Sequence, residues 1–463
     1  MSASTIAKIA ISLLLPLILG YSWLGLFRPF GPRGARLSLA VGFGFGLSSL
    51  LFFLWLLVAG KASAHFMLFQ GLTALILVGT ARWLSKRPRL GAPAASIEPS
   101  PFERKLKWAF LLILLLSLAC SILQFLYIPH GHWDAWDLWN MRALFLMKAG
   151  QRWPEFFVAE MPRSMDYPLM LSGAIAAGWK FIGFPRPLLP GSIAILFTLA
   201  TVGLLTSSIQ ALRSRCQGWI AGILLASTPL FAEHGASQYA DIELAFYILG
   251  SVGLWVWSDQ DDSPSTSKIA LSGMIAGMAA WTKNEGQFLI LVILTARILC
   301  RLGRDPIRKI GGELAIWMLG AAPFLLAVAY FRATIAPPSD LFSRDWTRWV
   351  KKLSDPERYW VIAKTWIETL PRFGRWHFGV PVALLVYAAA VGRNPGRSKI
   401  WRFPFLTLGL LALGYFFVYV LTPYDVPWHL STSLDRLYFQ LWPLGLFTAF
   451  LWLRSPEEFA RTE

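Results

Sequence analysis

Between His130 and Ala149 the chain reads HGHWDAWDLWNMRALFLMKA, directly after a long apolar run. Asp134, Asp137 and Asn140 recur at a three-residue spacing, so they share one face if the segment is an α-helix. A carboxylate held at a membrane surface among Trp133, Trp136 and Trp139 is shielded enough from water to work as a general base. The plainer reading is an interfacial helix with Asp134 as its N-cap and Asp137 in its first turn. Position favours chemistry, because the stretch opens the longest polar connection of a chain that is otherwise poor in acids. Further carboxylates recur at the ends of apolar runs: Asp166 beside Tyr167 in MDYPLM, Asp241 and Glu243 in SQYADIELAF, Glu285 in WTKNEGQ and Asp435 in STSLDRLYF. Lys283 and Arg436 accompany them, as recognition of a phosphate requires; taken singly, each is equally well read as a snorkelling side chain. His130, His132 and Asp134 offer metal donors at close spacing, and Asp134 with Asp137 could take a divalent cation. No second ligand pair has zinc spacing, so no metal is assigned. No Walker-type phosphate loop, GxSxG elbow or dinucleotide fingerprint occurs, which leaves soluble nucleotide chemistry without a site.

The elements that must hold these residues are membrane helices. The chain has 463 residues, 56% hydrophobic and 15% charged, with a mean hydropathy of +0.52, far too apolar for an ordinary soluble domain. Its 23 Trp and 33 Phe suit aromatic belts, and its 37 Gly and 29 Pro suit packed membrane helices. Spans of about 20 residues are predicted near 9–27, 37–59, 64–81, 108–128, 188–212, 218–234, 241–258, 268–284, 287–300, 314–331, 378–392, 403–421 and 437–454, roughly thirteen in all. The fold class expected is therefore an all-α polytopic membrane protein. Residues 1–81 form an N-terminal three-helix unit, 82–107 a cytoplasmic linker, 108–454 the main membrane domain and 455–463 a cytoplasmic tail.

Net charge +17 would otherwise suggest nucleic acid, but the basic residues fall in short clusters between apolar runs, which is how membrane topology is written. The clusters are Arg28 to Arg36, Arg82 to Lys107, Arg213 with Arg215, Arg301 to Lys309, and Arg393 to Arg402. They share one side of the membrane only if the run Tyr167 to Phe184 lies in the plane of the interface instead of crossing it. With that reading all six histidines fall at outward ends or loops. Two outward connections are long: Pro129 to Pro187, with in-plane helices, and Arg332 to His377. The second interleaves Trp346, Trp349, Trp360, Trp366 and Trp376 with Arg344, Arg348, Lys351, Lys352 and Arg358, as an amphipathic helix at lipid headgroups does.

The order WDAWDLWNMRALF, DYPLM, TPLFAEHGASQYADIELAFY, GMIAGMAAWTKNEG and SLDRLYFQLWPL, spread over about 108–454, resembles bacterial membrane glycosyltransferases of the GT-C fold. These form the protein O-mannosyltransferase and aminoarabinose transferase superfamily, glycosyltransferase family 39-like. The resemblance implies a GT-C-like fold in the cytoplasmic membrane with its active site on the periplasmic face. It also implies a polyprenyl-phosphate sugar as donor and inverting transfer. Asp134 matches the catalytic aspartate of the first outward loop. Ala135 stands where the family more often has Glu next to Asp, which leaves the base between Asp134 and Asp137. Asp166 and Tyr167 match the loop lining the site, Asp241 an acid at an outer helix start, and Lys283 with Arg436 cations at the lipid phosphate. Trp133, His132 and Glu285 complete the substrate-binding set. The expected partners are a lipid-linked sugar, a glycan, lipid or protein acceptor, and membrane lipids, with no nucleic acid. A transporter or flippase of a lipid-linked sugar is the alternative; it calls for buried acids midway through the membrane and two related halves, and no internal repeat is evident. A noncatalytic scaffold would leave the outward acids idle.

Overall fold

The computed structural model describes residues 2–27, 30–85, 98–158, 164–261, 264–339, 346–375, 379–394 and 399–460. Among them the chain is helical throughout, and the sole β-type pairing is the bridge between Arg393 and Leu453. In chain order, α1 (Ala3–Gly25), α2 (Arg33–Ala59), α3 (His65–Ser85) and α4 (Pro101–Tyr127) are long apolar rods. Ser100 caps α4 by accepting the Glu103 N–H, with Pro101 in the first turn, where a missing N–H costs nothing. The first long loop carries a π-helix (Ala135–Trp139), α5 (Asn140–Lys148), a 3-10 turn (Gly150–Phe156) and α6 (Met170–Ile182). Then come α7 (Leu188–Leu212), α8 (Arg215–Ala226), α9 (Pro229–Ser237), α10 (Asp241–Ser258), α11 (Thr266–Thr282), α12 (Asn284–Arg301) and α13 (Ile307–Thr334). The second long loop holds α14 (Trp346–Leu353) and α15 (Pro356–Thr369), followed by α16 (Val380–Val391), α17 (Arg402–Leu421), α18 (Val426–Trp452) and one turn, α19 (Pro456–Phe459).

This is a multi-pass helical membrane protein. Seven of the described helices are long and apolar enough to cross a bilayer, or eight if the bent pair α9 and α10 counts as one span, where the sequence predicts about thirteen. The difference lies in helices that are short or charged: α8 and α16 have 12 residues each, α11 has 17, and α18 carries Asp435 and Arg436. The predicted run 218–234 is two helices, α8 and α9, parted at Ser227 and Thr228. α10 is buried along its whole length, so its solvent is protein and not lipid.

Small residues let these helices approach. A Cβ on Gly273 of α11 would sit 1.9 Å from the Trp317 carbonyl oxygen of α13, and one on Gly44 of α2 would sit 2.1 Å from that of Pro16 in α1. Such close crossings are how helices without a hydrophobic driving force between them gain packing energy. α2 is walled in by α6 and α7, and Tyr247 of α10 donates to the Gly42 carbonyl at 3.0 Å. α2 is therefore built into the body of the molecule, while α3 packs mainly on α1.

α6 occupies most of the run Tyr167 to Phe184. At 13 residues it falls short of the length a span needs, and it is enclosed by α1, α2, α5 and α7 instead of lying open at headgroups. In the second loop, α14 has no buried residue, and Trp346 and Trp360 are each 68% exposed. Its cations do a structural job: Lys352 donates to the carbonyls of Leu421 and Thr422 at 3.0 and 2.8 Å, and Arg358 to Val420 at 3.0 Å. They satisfy the last carbonyls of α17, which have no partner inside the helix. Arg344, Trp376 and His377 lie outside the described residues, as does the middle of the linker, 86–97. The tail docks, because Glu458 takes Arg213 at 2.8 Å while closing a capping box with Ser455.

Candidate functional site

The site is organised by the break between α9 and α10. Gln238 adopts a left-handed conformation (φ 61) and turns the chain through 113°. The loop that begins at Pro129 is strapped to this break. Gln238 donates to the Pro129 carbonyl at 2.8 Å and accepts from Asn140 at 2.9 Å. The His132 N–H donates to Ser237 O at 3.2 Å, and the Asp134 N–H to the Tyr239 hydroxyl at 3.3 Å. Gly131 makes this fit, since its φ is +76 and a Cβ there would lie 2.6 Å from Ser237 O.

At the centre Asp241, fully buried, opens α10. Its Oδ1 accepts from Lys283 at 2.9 Å and from the Gln440 amide, and its Oδ2 from Arg436 at 3.0 and 2.8 Å. Arg436 uses its other nitrogen, Nη1, to hold Asp134 Oδ2 at 2.7 Å, while its guanidinium lies 4.6 Å from the centre of the Tyr239 ring. Lys283 also meets Glu285 at 3.1 Å. Asn284, between those two residues, donates to Asp166 at 2.7 Å and accepts from Arg332 at 2.6 Å. Tyr167 closes this side, its ring 5.6 Å from Lys283 and stacked on Trp139 at 5.7 Å. Arg142, wholly buried, donates to the carbonyls of Tyr167 and Pro168.

Four carboxylates, of Asp134, Asp166, Asp241 and Glu285, are thus matched by Arg436, Lys283, Arg332 and Arg142. Burial works against the Lys283 ammonium, but Asp241 and Glu285 outweigh it and raise its pKa. Burial pulls the Arg142 guanidinium below its usual range, with Asp166 and Tyr167 acting the other way. Burial, then Glu285 and Asp166, push the Tyr167 phenol well up. The cluster is a charge-balanced, preorganised polar centre whose rim includes Asp134, 29% accessible at its side chain, and Arg332, 39% accessible.

Asp137 stands apart, with no hydrogen bond or ion pair to the described residues. The expected α-helical alignment with Asp134 is replaced by a π-helix over Ala135–Trp139, whose wider turn no longer places residues three apart on one face. Trp133 is 64% exposed and packs edge-on against Trp136 at 4.6 Å. His132 accepts from the Gln124 amide at 2.9 Å. Neither joins the ion cluster. No group of three or more metal-ligating side chains is found among the described residues, and the oxygens of Asp241 are taken by cations. Sequence reading passed over Gln440, Tyr239, Arg142, Asn284 and Arg332. Gln440 carries a usable signal: it is a polar residue in an apolar run, four after Arg436 and so on the same helical face.

Comparison with protein-family models, curated proteins and solved structures returns no match. The family expectation therefore rests on the motif order alone, and the chemistry must be argued from the site.

Proposed function

We propose that the protein transfers a sugar from a polyprenyl-phosphate-linked donor to an acceptor hydroxyl. The reaction is an inverting displacement with an aspartate as general base, in a GT-C-like fold, on the outer face of a bacterial cytoplasmic membrane. The observation that carries this reading is the guanidinium of Arg436, held between buried Asp241 and rim Asp134. Attack on the anomeric carbon requires the hydroxyl to lose a proton, and the departing lipid phosphate requires its charge to be stabilised. Asp134 serves the first need, Lys283 and Arg436 the second.

The resting cluster is balanced, so an arriving phosphate diester must displace a carboxylate from a cation. Asp241 cannot yield, being buried and held by Lys283, Gln440 and Arg436. Asp134 can, because it makes one ion pair at the rim. Donor binding exchanges Asp134 for phosphate on Arg436 Nη1 and frees the base beside the sugar. Tyr167 and the exposed Trp133 and Trp136 offer ring faces for the sugar.

The flippase alternative calls for acids midway through the membrane. Glu243, with both oxygens buried and unpartnered, lies half a turn from Asp241 at the same helix end, which disfavours it. Purified protein in vesicles loaded with a polyprenyl-phosphate sugar separates the two. Release of polyprenyl phosphate with a new glycosidic product supports transfer, whereas intact donor reaching the other leaflet overturns it.

A further inference from the structure

A second charged centre lies at the far end of the same helices. α10 begins at Asp241 and runs for 18 residues to Ser258, about 27 Å along its axis. α12 runs in the same sense, from Asn284 beside the site to Arg301. Where they end, Asp259 accepts from Arg297 at 2.6 and 2.7 Å and from Arg301 at 2.9 Å. Glu313 takes Arg297 at 2.8 Å, and Asp305 takes Arg301 at 2.8 Å and Lys309 at 3.2 Å. These three acids are occupied by Arg297, Arg301 and Lys309. Three further cations have no acid to meet. Among the described residues the Arg304 side chain donates only to the Cys300 carbonyl, at 3.3 Å, and the side chains of Lys399 and Arg402 make no hydrogen bond or ion pair.

Those three cations line a cavity of about 370 Å³, together with Phe403, the cations Arg297 and Arg301, and the carboxylates Asp259 and Asp305 that those two arginines occupy. The N-terminus of α17 opens onto it at Arg402, adding the positive end of a helix dipole. Beside it Leu302, Ile307 and Phe405 are 58, 79 and 58% exposed, an apolar collar of the kind that faces acyl chains. Forked guanidinium donors, uncompensated positive charge and an apolar rim at a helix end together match a phosphate carried at a membrane surface. We propose that this cavity binds a phosphate group, supplied in the membrane by the headgroup of an anionic phospholipid. The site is separate from the cluster around Asp241 and does not depend on the transfer reading.

The test is native mass spectrometry of the purified full-length protein in detergent, titrated with phosphatidylglycerol or phosphatidylcholine. Wild type is expected to retain phosphatidylglycerol preferentially. Arg304→Gln/Lys399→Gln/Arg402→Gln should weaken that retention roughly tenfold or more. The lipid-free melting temperature should stay the same, since these side chains pair with no acid. Arg308→Gln, in the first turn of α13 and outside the cavity, should leave retention unchanged. Exposed Arg304→Gln alone serves if the triple variant does not fold, and should weaken retention severalfold. Equal retention by the variants, an equal loss with Arg308→Gln, or no preference between lipids overturns the site. Competition by inorganic phosphate as effective as that by the lipid keeps phosphate binding but overturns the lipid as its source.

Discussion

Asp241 has the most demanding position of any residue in the chain: a buried carboxylate whose two oxygens serve Lys283, Gln440 and Arg436. Asp241→Asn keeps its shape but leaves two buried cations short of a counter-charge. The expected cost is about 3–5 kcal/mol, read as a drop in thermal stability in detergent. Asp134 is different, since it sits at the rim and makes one ion pair. Asp134→Asn should leave the melting temperature nearly unchanged while lowering transfer by about 10²–10⁴. Asp137→Asn, which removes a carboxylate with no partner among the described residues, should stay within a few-fold of wild type in the same assay. The acids and cations that gather here could be picked out in the sequence because ionisable residues at the ends of apolar runs are conspicuous. Gln440 and Arg142 escaped because their partners, Asp241 and the carbonyls of Tyr167 and Pro168, lie on other elements of the chain, and only the fold shows what each touches.

At the scale of elements, the site depends on one turn fitting another. Gly131 and Gln238 both have positive φ, and they bring the loop before the π-helix against the α9–α10 break. Gly131→Ala places a side chain on Ser237 O in a conformation unsuited to it. It should cost more than about 1 kcal/mol and should reduce transfer further than its stability loss explains, because Asp134 moves with the loop; parallel melting and turnover measurements separate the two. Apolar runs predicted most helices close to where they lie, since hydrophobic length is a strong signal. The π-helix and the bend at Gln238 were not legible. Neither has a residue signature, and both arise from tertiary contacts that override local preference.

For the whole molecule, the acidic and cationic cluster at one end of α10 and the arginine-rich cavity at the other give the protein two distinct faces. The positive-inside rule predicts that the second faces the cytoplasm. In a background with Cys120, Cys216 and Cys300 replaced, Gln151→Cys in the first loop should react with an impermeant thiol reagent on intact cells. Arg308→Cys should react only after permeabilisation, and the reverse pattern would invert the topology. Within the N-terminal three-helix unit, α2 lines the core beside α7 and α10. Packing of that kind is carried by glycines such as Gly44 whose partners lie elsewhere in the chain. The proposed sugar transfer at this centre runs by way of Asp134. Mass spectrometry of envelope glycans tests it directly, in cells lacking the protein and complemented with wild type or Asp134→Asn. One sugar is expected to disappear with the protein, return with wild type and stay absent with Asp134→Asn. Unchanged glycans, or full restoration by Asp134→Asn, would contradict it.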